Sequence, residues 1–389
     1  MALDGKTVLV TGATGCIGGR LIEKLSLEQR ANVRVLVRNV RRMARIARFP
    51  IEWVIGDITD SAIVQRAVRD CAVVFHCAYD FSAAPDGQRA TATLGTRNVA
   101  EAVLQAAVPR MVHVSSLAVY GAISDGELTE LSAWRGTANR YAQLKRAAER
   151  LVLKLHRDKG LPVVVLQPTL VYGPFANQWT IGPSLQLKTG LVPLVDGGRG
   201  LCNAVYVDDV VDALLLAGTQ PQILGETFLI SAEQPITWRR FYEAYEAALG
   251  VDATVDISEH DLRDAMKKHA RDGGTLTTMK DWARSPIVFS ELAKLPIVQV
   301  SLRTLKTCLS QEQWQSLKNR IFGCSTRNGK ENAHVKPLHV PDESLLALYQ
   351  SQARVRVEKA NRRLGYVPKF SFEQGMDRTQ RFLHWANLA

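Results

Sequence analysis

Tyr141 and Lys145 stand four residues apart in the stretch Tyr141-Ala142-Gln143-Leu144-Lys145. On a helix this spacing places both side chains on one face, with about 5–6 Å between their Cβ atoms. An ammonium beside a phenol favours the phenolate and lowers the tyrosine pKa from its ordinary value of about 10. Such a pair can pass a proton to or from a carbonyl near neutral pH. A core tyrosine next to a solvated lysine has the same spacing, so the pair gains meaning from two other features. Ser116 ends a Val-Ser-Ser stretch 25 residues upstream. Near the start, Thr11-Gly12-Ala13-Thr14-Gly15-Cys16-Ile17-Gly18 follows a short β-rich run. There Gly12 permits a tight turn, Gly15 lets the backbone approach a pyrophosphate, and Gly18 allows close helix–strand packing. The helix that follows offers unpaired N–H groups and a partial positive charge to phosphates. The dinucleotide-binding set read from this loop is Gly12, Thr14, Gly15, Cys16, Ile17 and Gly18.

The elements that must position these residues alternate along the chain. Strands are predicted over Lys6–Thr11, Val33–Val37, Ile51–Ile55, Ala72–His76, Met111–Ser115 and Pro162–Gln167. Helices are predicted over Cys16–Ser26, Ser61–Arg69, Ala90–Ala107 and Tyr141–Arg157. Continuous apolar strands between helices indicate an α/β fold, a Rossmann-type doubly wound parallel sheet buried on both faces. After Pro168 the alternation becomes irregular, with helices at Val207–Ala217 and Thr237–Leu249, a strand at Phe228–Ile230 and a final long helix at Ser344–Leu364. Residues 1–168, with a return contribution from about 200–230, are expected to form the dinucleotide domain. Residues 169–389 are expected to form a smaller, mixed α/β substrate lobe, including an enlarged basic region at about 251–341.

The end of the second strand decides which dinucleotide is taken. NAD-binding units place a carboxylate there for the ribose hydroxyls. This chain has Val37-Arg38-Asn39-Val40-Arg41-Arg42, with no acid. Arg38, helped by Arg41 or Arg42, suits the 2′-phosphate of NADP, so NADP is favoured over NAD. A basic surface loop is the alternative. Asp57, followed by Ile58 just past the third strand, is placed to accept from the adenine amino group or simply to make a turn.

The chain has 389 residues and a net charge of +11, with 46% hydrophobic and 22% charged residues, ordinary for a globular protein. Residues 261–340 hold twice as many Lys and Arg as Asp and Glu. Such a surface can attract anions or remain simply solvated; it lacks a nucleic-acid motif, and no nucleic-acid partner is expected. No apolar run reaches the length of about 20 residues that spans a bilayer. The first strand begins so early that no signal peptide is expected. Cys16, Cys71, Cys77, Cys202, Cys308 and Cys324 lack C-x-x-C spacing and are read as free thiols in a reducing, cytoplasmic compartment. No metal site is expected. His76 and His113 lie in apolar strands and are read as structural.

Taken together, TGATGCIG (11–18), GDITD (56–60), VFHCA (74–78), GTRNVAEA (95–102), VSSLAVYG (114–121), YAQLK (141–145), QPTLVYGP (167–174) and VYVDDVVDA (205–213) resemble the extended short-chain dehydrogenase/reductase family, of the nucleotide-sugar epimerase and dehydratase type. The segment LGYVPKFSFEQGM (364–376) resembles the family's closing segment. The resemblance implies that Tyr141 is the general acid/base, that Lys145 lowers its pKa and binds the nicotinamide ribose, and that Ser116 hydrogen-bonds the reacting oxygen. Ser116, not Ser115, occupies the motif position four before Tyr120. It also implies that Ala78 lies near the ribose and pyrophosphate, and Pro168 and Thr169 against the nicotinamide. Tyr206 and Asp209 fall in a motif that braces the substrate side or merely packs. Two positions depart from the family pattern: Ala92 stands where an Asn is common, and Leu117-Ala118 stand where dehydratases carry an Asp-Glu pair. The second departure argues against elimination.

The function expected is that of an NADP-dependent oxidoreductase or epimerase acting on a secondary alcohol or ketone, foremost of a nucleotide-linked sugar, with Asn177 and Arg199 on the substrate side. Asn203 and the segments Pro174–Pro183 and Leu191–Val195 belong to the same expectation. One alternative is a dehydrogenase of a bulky apolar alcohol, as in 3β-hydroxysteroid dehydrogenase-like relatives, with Ile287–Leu305 as a lid or as extra core. Another is a non-catalytic NADP-binding regulator. A homodimer is left open.

Overall fold

Seven short runs rich in Val, Ile and Leu build one parallel sheet in the computed structural model, which describes residues 2–271 and 336–389. They are β1 (Thr7–Thr11), β2 (Asn32–Val37), β3 (Ile51–Ile55), β4 (Val73–His76), β5 (Met111–Val114), β6 (Val163–Pro168) and β7 (Thr227–Ile230). Their order is β7-β6-β5-β4-β1-β2-β3. The chain runs outward from β1 through β3, then crosses back to β4 on the other side of β1. The strand order therefore reverses between β1 and β4, where Thr11 pairs with His76. Parallel register puts the carboxyl ends of all seven strands at one edge, and a crevice opens at the reversal.

Five helices cover the sheet: α1 (Cys16–Leu27), α2 (Ser61–Val68), α3 (Thr96–Gln105), α4 (Arg140–Lys159) and α5 (Val207–Thr219). Side chains alternate along each strand, so Val8 and Val10 share one buried cluster with Leu21, Ile22 and Leu25 of α1 and Val210 and Leu214 of α5. Leu9 faces the opposite layer, among Val64, Val99, Val103 and Val152 of α2, α3 and α4. Each fully buried Leu or Val contributes roughly 1.5–3 kcal/mol of transfer free energy. Ion pairs lace α1 to α5: Arg20 grips Asp208 through Nε and Nη2 at 2.6 and 2.8 Å, and Lys24 meets Asp212 at 2.5 Å. The edge strand β3 departs from burial on both faces, leaving Trp53 and Ile55 exposed.

Two predicted helices differ. The one predicted over Ala90–Ala107 is interrupted: helix Pro85–Ala90 leads into a π-helical turn, Thr91–Gly95, and then α3. At the end of that turn Gly95 packs closely on Ile58, since a Cβ there would lie 2.5 Å from Ile58 Cδ1. The helix predicted over Ser344–Leu364 is three elements: helix Glu343–Gln350, strand Arg354–Val355 and π-helical turn Ala360–Leu364. The strand pairs in parallel with Glu127–Leu128. Buried Asn203 fixes it, donating to Ala353 O at 2.9 Å and accepting from Val355 N at 3.1 Å. A tertiary partner therefore overrides helical periodicity, and Ala353 and Val355 bury with period two instead.

The chain divides into two compact units, Met1–Thr180 with Arg199–Trp238 and Glu343–Thr379, and Ile181–Gly198 with Arg239–Asp342 and Gln380–Ala389. The first contains the sheet. In the second, Val192–Val195 pairs in parallel with Thr254–Ile257, and the Glu246 carboxylate accepts from Ala253 N and Thr254 N, each at 2.7 Å. Most of the basic region, the Ile287–Leu305 segment, Cys308 and Cys324 lie outside the described residues. The other four cysteines are free thiols. Among the described residues no helix is long and apolar enough to cross a membrane.

His113 of β5 is buried with both ring nitrogens lacking a hydrogen-bond partner. Burial first, then His76 and Lys145, hold its pKa well below the ordinary value. The unfolded chain takes up this proton as pH falls through about 6.5 while the native state does not, so stability falls with acidity in that window. Replacing His113 by Leu should remove that term. In urea unfolding, the stability advantage of His113→Leu over the parent should grow by about 2 kcal/mol between pH near 7 and pH near 5. An advantage that does not change with pH would overturn the assignment.

Candidate functional site

The crevice at the strand reversal is shaped by three glycines, of which Gly12 and Gly18 tolerate no side chain. Gly12 has φ +70°, and a Cβ on it would lie 2.6 Å from the Cys77 carbonyl carbon and 2.7 Å from Ala78 N. A Cβ on Gly18 would lie 2.3 Å from Gly12 O. Gly15 closes the turn by donating to Gly12 O at 3.0 Å and opens α1 with no side-chain cap and no acid in the first turn. Thr14 and Gly15 are exposed, and Cys16 and Ile17 are half-buried. The uncapped amides of α1 at an accessible turn, with the backbone beyond β4 against Gly12, fit a dinucleotide pyrophosphate. Beneath the loop, His76 joins Thr11 Oγ1 at 2.8 Å and Thr96 Oγ1 at 3.0 Å. Burial keeps this imidazole neutral, its pKa pushed down to about 3. Cys16 Sγ donates to Pro174 O at 3.3 Å, and burial raises its pKa to about 12, so this thiol is structural.

Arg38, just past β2, is not an isolated cation. Its Nη2 lies 2.6 Å from Asp80 Oδ2, and its Nη1 lies 3.5 Å from Asp57 Oδ2. The strand end carries no acid, but the fold brings two to it from loops 19 and 42 residues further along. Asp57 also makes a turn, accepting from Thr59 N and Thr59 Oγ1, each at 2.9 Å. Asp80 accepts from Ser82 Oγ at 2.7 Å, Ser82 N at 3.0 Å and Ala83 N at 3.2 Å through Oδ1. Although burial opposes it, Arg38 and Ser82 hold the Asp80 pKa below the usual carboxylate value. Arg41 and Arg42 are exposed on the adjoining 3-10 turn, and Ile58 is buried behind it. Asp80 had no sequence signal, because its partner is close only in the fold.

Ser116, Tyr141 and Lys145 are brought together past β5. Asn139 caps α4 by accepting from Ala142 N at 3.0 Å, which places Tyr141 and Lys145 in its first turns. Ser116 starts the 3-10 turn Leu117–Tyr120, its hydroxyl accepting from Ala118 N at 3.2 Å, and lies close enough to Tyr141 to lower that phenol's pKa. Ser115 is turned away into the core, where its hydroxyl donates to Glu149. Lys145 is buried, donates to Val114 O at 2.8 Å, and places Nζ 5.9 Å from the Tyr141 ring centroid. Tyr141 corrects one expectation. Its pKa is raised, because burial outweighs the lowering by the nearby Ser116 hydroxyl, and Lys145 does not counter it. Burial instead lowers the Lys145 pKa to about 8. Two aromatic residues absent from the sequence reading also touch Tyr141: Tyr79 edge-on at 5.0 Å and Phe81 at 5.3 Å between centroids.

Ala78 lies against Gly12. Pro168 ends β6, and Thr169 bonds Ile230 O at 3.0 Å through its N–H and Ser231 Oγ at 3.2 Å through its hydroxyl. Both stand at the same sheet edge as the glycine loop. Asn177 and Arg199 are exposed. Asn203 is committed to residues 353–355. Asp209 accepts from Lys369 N at 2.7 Å and Tyr206 packs on Phe370, so both are structural. Ala92 is buried in the π-helical turn.

The model of the NAD dependent epimerase/dehydratase family matches residues 8–231. Over 240 residues, 58% of this chain and 67% of the relative, the chain is 33% identical to a putative dihydroflavonol 4-reductase from Synechocystis sp.. It is 26% identical to a UDP-glucose 4-epimerase from Vibrio cholerae over 58% of this chain and 70% of that one. The fold is similar to that of a dTDP-glucose 4,6-dehydratase from Streptomyces venezuelae solved with NAD, with a TM-score of 0.66, 21% identity and 97% of each chain covered.

Lys145 gives the site a measurable signature. Its amine should titrate near pH 8 in the folded protein, against about 10.5 for exposed lysines. The native state disfavours the proton, so this group's burial cost is full below about pH 8 and is relieved as pH rises toward the unfolded value. With lysine labelled at ¹³Cε, one resonance should show the low midpoint and vanish in Lys145→Met. If every lysine titrates above pH 10, the buried ammonium is misplaced.

Proposed function

The chain belongs to the NAD dependent epimerase/dehydratase family of extended short-chain dehydrogenase/reductase enzymes, and on that premise we propose that it reduces a ketone to a secondary alcohol, or the reverse, with Ser116, Tyr141 and Lys145 as its proton-handling group. The observation that carries this reading is the meeting of Ser116 and Tyr141, whose phenol feels the serine hydroxyl, with buried Lys145 placed at 5.9 Å from the same ring centroid, at the sheet edge that holds the glycine loop. Gly12, Thr14, Gly15, Cys16, Ile17, Gly18 and Ala78 would hold the pyrophosphate and ribose, and Pro168 and Thr169 the nicotinamide. The nicotinamide, when bound, supplies or accepts the hydride.

The protein's own groups handle the oxygen. Ser116 and Tyr141 present two hydroxyl donors to a carbonyl, polarising it as charge develops. Burial keeps the Tyr141 phenol protonated at neutral pH, which suits it to give a proton in the reductive direction. Lys145, with its pKa near 8, remains largely an ammonium at pH 7 and offsets the charge left on the phenolate. Leu117 and Ala118 offer no carboxylate for elimination.

On the substrate side, Tyr79 and Phe81 wall the Tyr141 ring with apolar, aromatic surface. This favours a bulky ketone with an apolar ring face, in keeping with the dihydroflavonol 4-reductase relative. The UDP-glucose 4-epimerase relative and exposed Arg199 support the second reading, a nucleotide-linked sugar with its diphosphate at Arg199 and a hydroxyl at Asn177.

Screening alicyclic and aromatic ketones beside nucleotide sugars, by reduced-nicotinamide absorbance with product analysis, separates the two readings. Turnover of sugars alone would remove the apolar one. Tyr141→Phe should lower kcat by roughly 10²–10⁴-fold, the usual contribution of a positioned acid, while dinucleotide affinity measured by fluorescence stays within about threefold, since the phenol proton is needed for the chemistry rather than for binding. Undiminished turnover in that variant would sink the assignment. Phe81→Ala should raise KM for a ring ketone by about tenfold through lost apolar contact and leave kcat little changed.

A further inference from the structure

We propose that Asp80 sets the enzyme's discrimination between NAD(H) and NADP(H), by holding Arg38 and by supplying the carboxylate that the end of β2 lacks. This rests on the dinucleotide reading of the glycine loop given above. Arg38 is the one basic residue at the β2 end whose guanidinium is already engaged, with Asp80 at 2.6 Å and Asp57 at 3.5 Å. One cation between two carboxylates leaves the group with a net charge of about −1. A free ribose diol finds acceptors there. A 2′-phosphate finds Arg38 taken and two anions beside it, so using Arg38 means drawing it away from Asp80, with exposed Arg41 and Arg42 on the adjoining turn as further cations.

The two partners are not equally free to yield. Asp80 is buried, and its Oδ1 is pinned by Ser82 N, Ser82 Oγ and Ala83 N. Asp57 is pinned likewise by Thr59. Arg38 is half-exposed, with 46% of its side chain accessible, and is the member that can swing. Asp80 is thus a fixed acceptor across the crevice from β2, and Arg38 serves a phosphate only at the expense of that contact. The pairing crosses the strand reversal, since Arg38 follows β2 and Asp80 follows β4.

Asp80→Asn removes the charge and keeps the Oδ1 acceptor for Ser82 and Ala83, so the turn is retained. Affinities of the full chain for NADH and NADPH are read directly by fluorescence titration, without any substrate. Asp80→Asn should shift the NADPH/NADH affinity ratio toward NADPH by at least about tenfold, the scale of deleting one charge beside a partly exposed anion. Arg38→Ala should weaken NADPH more than NADH, and in the Arg38→Ala background Asp80→Asn should still shift the ratio toward NADPH but by less than in the parent, because the ion-pair part of the effect is gone while the carboxylate's own part remains. Ser82→Ala, which removes one of three anchors of Asp80 but keeps its charge and its contact with Arg38, should shift the ratio by less than Asp80→Asn does. An Asp80→Asn variant that alters both affinities equally, or one whose shift is as large without Arg38 as with it, overturns the proposal while the dinucleotide reading stands. Failure of the parent chain to bind either dinucleotide overturns both.

Discussion

The close approach of Gly12 to the backbone of Cys77 and Ala78 is the contact on which the rest of the site depends. It exists because β1 and β4 are neighbours in the sheet although they are far apart in sequence. A side chain at Gly12 would force these segments apart by more than any rotamer adjustment could absorb, since the obstructing atoms are backbone. Gly18 then draws α1 down onto the same turn, so that the helix N-terminus, the residues after β4 and the turn after β2 converge on one edge. The carboxyl ends of β5 and β6 lie along that edge because the whole sheet is parallel. Ser116 and Pro168 thus reach the crevice through topology rather than through any local preference.

Beneath the crevice lies a layer of buried polar groups that a purely apolar core would not need. Thr11, His76 and Thr96 bridge β1, β4 and α3. Glu149, one turn beyond Lys145 on α4, receives Ser115 and accepts from Gln167 at 2.8 and 3.1 Å, while Tyr120 donates to Gln167 at 2.8 Å. Burial raises the Glu149 pKa as it lowers that of Lys145. A satisfied network of this kind fixes side-chain orientation, whereas losing one member strands the others without water. It fixes α4 against β5 and β6 and so sets where the Tyr141 hydroxyl stands. The same packing that holds the half-buried Tyr141 in place also raises its pKa.

How much of this was legible in the sequence follows the range of the interactions. The glycine loop, the capped start of α4 and the apolar strands are local patterns, and the sheet, the helices around it and the meeting of Ser116, Tyr141 and Lys145 were readable from them. The direction of the Tyr141 shift was not, because spacing on a helix gives proximity but not the depth of burial that dominates here. The segment 344–364 carries apolar residues compatible with both periods, and partners distant in sequence, Asn203 and the strand Glu127–Leu128, decide for a strand at residues 354–355. Tyr79, Asp80 and Phe81 lie in a loop with no motif of their own. Their importance comes from what the fold sets opposite them, a phenol on α4 and a guanidinium after β2.

That last case bears on how charge at the end of β2 is to be read. A local rule takes the residue type there as the selector, an acid for a diol and a base for a phosphate. The rule counts one charge, but a ligand meets the sum of all charges within a few ångströms. Here the sum is set by loops after β2, β3 and β4, and two of its three members are acids that the β2 sequence does not contain. Asp57 and Asp80 are each anchored by their own turns, so the geometry of the negative pair does not depend on Arg38. The guanidinium settles between carboxylates that are already in place. In such a site the anions are held by their own turns, and the half-exposed arginine is the member with room to move.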